Sequence, residues 1–132
     1  LAYPWYGEAV IATKELFESD VPKIAWNLKH EERWTLKEFG FPVNNWLWDG
    51  MLMAHTTDNR KGTSGLKFQA FVQLGMESYD DRLKPYMQTE GGNQQNRLKE
   101  VDLNTLLKYC GLDALLAYKI SKMQMEKVGF EP

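Results

Sequence analysis

The chain has 132 residues, of which 43% are hydrophobic and 13% aromatic, and this composition excludes an intrinsically disordered protein. A net charge of −2 argues against a bulk electrostatic nucleic-acid binder, but it allows a nucleic-acid enzyme whose carboxylates hold metal ions. No apolar run reaches the roughly 18–20 residues of a membrane span, and no signal peptide is visible, so we expect no membrane partner. The single cysteine, Cys110, indicates a reducing compartment such as the cytoplasm and is expected to fill core space.

The first half of the chain alternates strand and helix patterns. "LAYPWYG" (1–7) has strand-like aromatic residues, but Pro4 limits it to a sheet edge or a strand end. The stretches that follow predict, in order, a helix, a buried strand, a helix ended by Gly40, a second buried strand and a short helix: "GEAVIATKELFESD", "PKIAWN", "HEERWTLKEFG", "NNWLWD" and "GMLMAHTTD".

The second half is mainly helical. "LKFQAFVQLG" predicts a helix, and the polar stretch 76–100, with "TEGGNQQN" inside it, predicts a mobile loop. Asp102 can cap a long helix that runs to about Lys127. Its predicted buried stripe consists of Leu103, Leu106, Leu107, Cys110, Ala114, Ala117 and Tyr118.

This order of elements predicts an α/β fold with parallel strands and crossover helices, in a single domain over residues 1–132. No internal repeat or linker divides the chain. Two or three short strands are few for a stable parallel sheet, which prefers cover on both faces. We therefore expect the sheet to be incomplete.

Polar residues follow the first buried strand, where ligand sites of open α/β sheets lie. Asn27 and Glu31 stand at this junction between the strand and the next helix. A functional role competes with a structural one. In the structural interpretation Asn27 caps the helix, and Glu31 and Glu32 favour its N-terminal dipole.

The long C-terminal helix carries unusual residues in "LLKYCGLDALLAYK" (106–119). Tyr109 and Asp113 lie on one face, about 6 Å apart along the axis, and Gly111 costs roughly 1 kcal/mol relative to alanine. Asp113 borders the predicted buried side, where a carboxylate needs a cation, hydrogen-bond donors or a metal ion. An ion pair with Lys108 or Lys119 is the structural alternative.

Taken together, Asn27-x-x-x-Glu31 and Tyr109-x-x-x-Asp113 resemble the second and third motifs of DEDD-type 3′–5′ exonucleases. The chain is similar to the proofreading domain of phage and bacterial family A DNA polymerases, and most similar to phage members. The resemblance spans Tyr3 to about Glu126. It is carried by "YPWYGEA", "KIAWNLKHEERW", "WDGMLMAHTTDNRKGTSGLKFQAF" and "DLNTLLKYCGLDALLAYK".

The resemblance implies a ribonuclease H-like fold and hydrolysis of terminal phosphodiesters in single-stranded DNA. Two Mg²⁺ or Mn²⁺ ions about 4 Å apart would serve this chemistry. Asp113 would be a metal ligand, and Tyr109 would orient the attacking water. Glu31 would replace the usual second-motif aspartate as a catalytic metal ligand, and Asn27 would position the junction or the substrate. Gly111 would allow close packing or substrate approach.

The first motif of the family, Asp-x-Glu on the first strand, is missing from the chain. Because the chain begins at Leu1, we expect a fragment or a processed piece whose N-terminal strands and Asp-x-Glu come from an upstream segment or a second chain. The exposed sheet edge would then favour a polymerase partner, an added strand or a homodimer. A catalytically inactive exonuclease-like module that binds nucleic acid or a polymerase is the alternative function, and a ribonuclease of the same superfamily is a third.

Several other candidates have weaker patterns. "DNRKGTSG" (58–65) could hold a phosphate but matches an ordinary helix-start loop, and His30 and His55 lack partners at metal spacing. The resemblance implies a structural role for Asp49. The tryptophans could stack on bases, although most are expected in the core: Trp26, Trp34, Trp46 and Trp48.

Overall fold

The computed structural model describes residues 2–89 and 95–131. The predicted mobile loop "TEGGNQQN" falls largely on residues 90–94, which lie outside this description. The elements in chain order are α1 (Glu8–Glu18), β1 (Lys23–Ala25), α2 (Leu28–Phe39), β2 (Trp46–Asp49), α3 (Gly50–Thr57), α4 (Leu66–Leu74), α5 (Lys84–Met87), a 3-10 turn (Leu98–Glu100) and α6 (Leu103–Lys127).

The sheet consists, over the described residues, of two parallel strands joined by the crossover helix α2. Ile24 lies opposite Trp48, and Ala25 lies opposite Asp49. This is the α/β unit that the alternation of patterns predicts. The ribonuclease H-like assignment goes beyond a two-stranded sheet and stays a prediction.

The prediction of a strand in "LAYPWYG" is wrong, because none of residues 2–7 lies in a strand and residues 5–7 form a bend and a turn. The backbone N–H of Tyr6 donates to the carbonyl of Pro4 at 3.1 Å, which closes a tight turn. Gly7 then precedes α1 as its N-cap residue, with a φ of 55°. Proline removes a donor that a ladder would use, so the aromatic residues around it do not extend the sheet.

One carboxylate holds the carboxyl ends of both strands. Asp49 accepts hydrogen bonds from the backbone N–H groups of Asn27, Leu28, Met51 and Leu52, at 3.0–3.2 Å. It therefore caps α3 and also reaches the start of α2, and both helix N-termini favour a negative charge. Asn27 occupies the N-cap position of α2, as in the structural interpretation, but its side chain makes no capping bond within the described residues.

The core lies between the sheet, α4 and the middle of α6. Its fully buried centre is formed by Ala70, Leu116 and Ile120, and Trp26 packs against it. Gln124, also buried, accepts from the Trp48 indole N–H at 3.0 Å and donates to the Gly50 carbonyl at 3.0 Å. These bonds join α6 to the end of β2.

The predicted buried face of α6 is wrong. The helix buries Leu116, Ile120, Ser121, Gln124 and Met125 instead. Leu103 and Tyr118 of the predicted stripe are about half exposed (51% and 55%), and Cys110 is exposed rather than in the core. Apolar residues occupy more than one face of this helix, so periodicity alone does not identify the face that packs on the sheet.

The segment 76–100 contains more structure than the polar composition predicts. Within its described residues, α5 and the 3-10 turn form, and the N–H of Arg97 donates to the carbonyl of Tyr86 at 2.8 Å. Tyr79 of this segment packs against the core. Among the described residues, no helix has both the length and the hydrophobicity of a membrane-spanning segment.

Candidate functional site

A groove of about 750 Å³ runs beside β1, and we call it the β1 groove. Ile24 and Ala25 of β1 form part of its wall, and α1 and α6 contribute further apolar residues. Two carboxylates, Glu31 and Asp113, also line it. The fold thus places two of the predicted site residues, from different helices, on one concavity. Four residues of the predicted α6 stripe line the same groove: Cys110, Ala114, Ala117 and Tyr118.

Glu31 has an unsatisfied carboxylate in the first turn of α2. Its Oε2 is buried and has no hydrogen-bond partner among the described residues. Burial raises the pKa of Glu31, and the nearby Asp49 charge adds to this, against the α2 backbone and His30, which lower it. A buried carboxylate oxygen without a donor is costly, so this position favours a cation or an added donor.

Asp113 lies on α6 and is held by a tyrosine that the sequence analysis missed. The hydroxyl of Tyr79 donates to its Oδ1. Burial raises the pKa of Tyr79, and the bond to Asp113 raises it further, so the phenol stays protonated as the donor. This bond fixes one oxygen of Asp113. The predicted ion pairs of Asp113 with Lys108 or Lys119 do not form.

Tyr109 lies one helical turn before Asp113. It is not among the residues that line the β1 groove, and the partner of its hydroxyl, Lys67, lies on α4. Its hydroxyl accepts from Lys67 Nζ at 3.1 Å, and the ammonium lies 5.0 Å from the ring centroid. Burial raises the pKa of Tyr109, Lys67 lowers it, and Asp113 raises it again. The Tyr109 hydroxyl therefore lies beside a cation, and the charge of Asp113, one helical turn further along α6, acts on its pKa in the opposite direction.

Lys67 connects the tyrosines to an ion-pair network at the start of α4. Its Nζ lies 2.6 Å from Asp80 Oδ2, and Asp80 is buried. Burial acts to raise the pKa of Asp80, but hydrogen bonds from Lys67 and Ser78 dominate and lower it to about 2. Sequence patterns gave no signal for Lys67. Tyr79 was detectable only as an aromatic residue in a polar stretch.

Asn27 occupies the junction between β1 and α2 in a left-handed conformation, with a φ of 73°. Asparagine tolerates this conformation better than most residues. Its N–H is held by Asp49, and its carbonyl accepts from His30 at 2.8 Å. Asn27 therefore shapes the turn that leads to Glu31. Asp49 holds this turn by accepting hydrogen bonds from the backbone N–H groups of Asn27 and Leu28.

Gly111 does not meet the expectation of close packing. A Cβ added there would lie 3.7 Å from the nearest side-chain atom, that of Ala2. Gly50 instead occupies a tight position, because an added Cβ would lie 2.4 Å from the Trp26 ring. Close packing therefore requires a glycine at position 50, directly after Asp49, and not at position 111.

The other sequence candidates have mainly structural surroundings. "DNRKGTSG" is the loop before α4, and Arg60 pairs with Asp58 at 2.7 Å. His30 and His55 are exposed. Three of the four tryptophans predicted for the core are half-buried, and Trp34 is 49% exposed on α2.

The carboxylates of the groove fit part of a metal centre, since Glu31 offers an unpartnered oxygen and Asp113 a second anionic donor. Over residues 2–89 and 95–131, however, no three His, Cys, Asp or Glu side chains gather around one metal position. Comparisons with protein-family models, curated proteins and solved structures find no match.

Proposed function

We propose that this chain is the larger part of a 3′–5′ exonuclease domain that hydrolyses the terminal phosphodiester of single-stranded DNA. One observation carries the proposal: Glu31 and Asp113, on separate helices, line the same groove beside the sheet. They are the acidic residues of the two motifs that resemble the exonuclease family. In an open α/β sheet a site at the end of a strand is the expected place for such chemistry.

Further carboxylates are needed for a two-metal site. Over the described residues β1 pairs with a single strand, so its second edge is open to another strand. The β1 groove lies against this strand and is lined by apolar residues such as Ile24 and Phe17. An added strand that carries Asp-x-Glu would cover these residues and bring its carboxylates toward Glu31 and Asp113.

Each residue of the site has a defined task. Asp113 and Glu31 would hold Mg²⁺ or Mn²⁺, and the bond from Tyr79 keeps Asp113 oriented. Tyr109 accepts from Lys67, which leaves its own O–H to donate to a water molecule or to the Asp113 carboxylate. When bound, the metal ions would supply a hydroxide near neutral pH and stabilise charge on the leaving oxygen.

The bases of the DNA substrate would bind to exposed aromatic side chains beside Glu31. An apolar cavity of about 560 Å³ on α2 includes Trp5, Trp34, Phe39 and Glu31 in its lining. Trp5 and Trp34 are each about half exposed. Bases of a single strand stack on such rings without strong sequence preference. The place of action would be the cytoplasm, which for a phage protein is that of the bacterial host.

The test uses the full-length product of the gene that encodes this chain and a 3′-labelled single-stranded DNA with Mg²⁺ or Mn²⁺. We expect stepwise release of nucleotides, lost in Asp113→Asn and strongly reduced in Glu31→Gln. Glu126→Gln, which changes an exposed carboxylate on the same helix as Asp113, is the control and should keep full activity.

Absence of any metal-dependent cleavage by the full-length product would exclude the exonuclease. Specific DNA binding without cleavage would then identify the inactive nucleic-acid-binding module. Cleavage that survives Asp113→Asn would place the active site elsewhere.

A further inference from the structure

A second concavity lies on the other side of the two tyrosines, and we call it the basic cavity. Its volume is about 230 Å³, and its lining includes Tyr79, Arg82, Lys108 and Tyr109. Glu31, Asp113 and the residues of β1 are not among the residues that line it. It is therefore separate from the β1 groove, although the two tyrosines connect it to Asp113.

The charges of the basic cavity select an anion. Among the residues that the structure describes, Arg82 and Lys108 are its charged lining residues, and no carboxylate lines it. Neither cation forms an ion pair with any residue in 2–89 or 95–131. Asp80 and Asp81, which directly precede Arg82 in the chain, have partners of their own, since Asp80 pairs with Lys67 and Asp81 with Lys84.

The tyrosines give the basic cavity an aromatic wall. The ring centroids of Tyr79 and Tyr109 lie 5.9 Å apart with an interplanar angle of 36°. The Tyr79 hydroxyl donates to Asp113, and the Tyr109 hydroxyl accepts from Lys67. The rings are therefore the main surface that these two side chains offer to a ligand of the basic cavity. A ring wall beside two cations suits a phosphate that carries a sugar or a base.

The volume limits what can enter. Pockets for drug-sized ligands measure about 300–1,000 Å³, and the basic cavity is smaller than that range. One phosphate with part of its sugar or base is therefore a better match than an extended strand.

We propose that the basic cavity binds the phosphate group of a nucleotide. Arg82 offers a planar pair of N–H donors to the phosphate oxygens, and Lys108 offers a point charge. Tyr79 and Tyr109 would contact the attached sugar or base, and through Asp113 they connect this subsite to the β1 groove. Identification of the ligand as a nucleotide rests on the proposed function, whereas binding of a phosphate monoester does not.

The test is titration of the chain with thymidine 5′-monophosphate, with inorganic phosphate and with thymidine, in a chelator and without divalent ions. Calorimetry and two-dimensional NMR measure affinity and site. We expect the two phosphate-containing ligands to shift resonances of Tyr79 and Tyr109, and thymidine to bind at least tenfold more weakly than its monophosphate. Arg82→Gln and Lys108→Gln should each reduce the affinity for the monophosphate about tenfold, since each removes a charged hydrogen bond.

Matched controls change exposed cations outside the cavity. Arg33→Gln on α2 and Lys127→Gln at the end of α6 should keep the wild-type affinity. Equal loss in the controls would reveal non-specific charge attraction and overturn the proposal. Phosphate binding that is unchanged in both Arg82→Gln and Lys108→Gln would also overturn it.

The two proposals fail in distinguishable ways. Glu31→Gln should abolish metal-dependent cleavage and leave binding of thymidine 5′-monophosphate in chelator unchanged. If cleavage is absent but the monophosphate binds through Arg82 and Lys108, the anion subsite stands and the exonuclease does not. If cleavage depends on Glu31 but neither Arg82→Gln nor Lys108→Gln lowers the affinity for the monophosphate, only the proposed phosphate subsite is wrong.

Discussion

Asp49 and Glu31 lie near the same strand ends, yet their carboxylates have opposite surroundings. Asp49 accepts four backbone N–H groups in the closed junction between the strands and two helices. Glu31 lines the β1 groove and has a buried oxygen that receives no hydrogen bond from the part of the chain that the structure describes. A carboxylate whose oxygens are filled by backbone donors stabilises the fold, whereas one that lacks donors needs a partner. The contrast separates a structural acid from a candidate functional acid.

The largest effect is expected from Asp49→Ala, which removes the acceptor of four N–H groups at two helix starts. We expect a loss of about 3 kcal/mol in the free energy of unfolding, because caps are lost and half-buried donors are left unpaired. Urea denaturation measures it. Asp49→Asn keeps one acceptor oxygen and should lose less. Equal stability of Asp49→Ala and the wild type would contradict the claim that Asp49 stabilises the fold.

The junction is also closed sterically, at Gly50. Gly50→Ala places a Cβ 2.4 Å from the Trp26 ring and 2.8 Å from Ser121 Oγ, so we expect about 2 kcal/mol of destabilisation from overpacking. Gly111→Ala is the matched control on α6, where the nearest atom would lie 3.7 Å away. It should stabilise the chain by up to about 1 kcal/mol through helix propensity. Thermal unfolding of both variants should therefore shift in opposite directions, and a shift in the same direction would contradict the packing described.

The second acid of the β1 groove, Asp113, is tested through Tyr79, which donates a hydrogen bond to it. Tyr79→Phe removes the hydroxyl that holds this carboxylate and should cost about 1.5 kcal/mol, as expected for a hydrogen bond to a charged group. Tyr86→Phe is the control, because the Tyr86 hydroxyl makes no side-chain hydrogen bond within the described residues. Denaturant unfolding of the two variants measures the difference. An equal effect in both would show that the Tyr79 hydroxyl does not hold Asp113.

The smallest effect is expected from Glu31→Gln, and its sign depends on pH. Burial raises the pKa of Glu31 above the reference value of 4.5 in the folded state. As pH rises through this reference value, the unfolded chain ionises first, so the wild type loses stability until the folded group ionises as well. Glutamine removes this loss.

Unfolding experiments in chelator should therefore show that Glu31→Gln gains on the wild type as pH rises above the reference value of 4.5. Glu8→Gln, an exposed acid in the first turn of α1, should show no comparable gain. A gain for Glu31→Gln that falls as pH rises would show that Glu31 is stabilised as a charged group, which would remove the contrast with Asp49.

Local patterns predicted much of the fold. The two short apolar stretches bounded by breakers became β1 and β2, and Asp102 accepts from the Thr105 N–H at 3.0 Å as the predicted cap of α6. These features depend on nearby residues, so sequence patterns reveal them. The strand expected in "LAYPWYG" failed because Pro4 begins a turn, which aromatic content alone does not reveal.

The side-chain environment of the site was less predictable. Residue type, spacing and the family resemblance pointed to Glu31 and Asp113, and their role in a site stays a prediction. Tyr79 reaches Asp113, and Lys67 reaches Tyr109, only through tertiary packing. The buried face of α6 was also assigned wrongly, because the neighbours of Leu116 and Ile120 come from distant elements. Contacts of this kind depend on the whole fold and leave little trace in a short stretch of sequence.

The central claim, that Glu31 and Asp113 share a divalent-cation site, is tested most directly by Mn²⁺ binding. Electron paramagnetic resonance titration of the full-length gene product should reveal a site whose affinity falls at least tenfold in both Glu31→Gln and Asp113→Asn. Glu126→Gln should retain it. Mn²⁺ binding that neither Glu31→Gln nor Asp113→Asn weakens, or that only one of them weakens, would contradict the account.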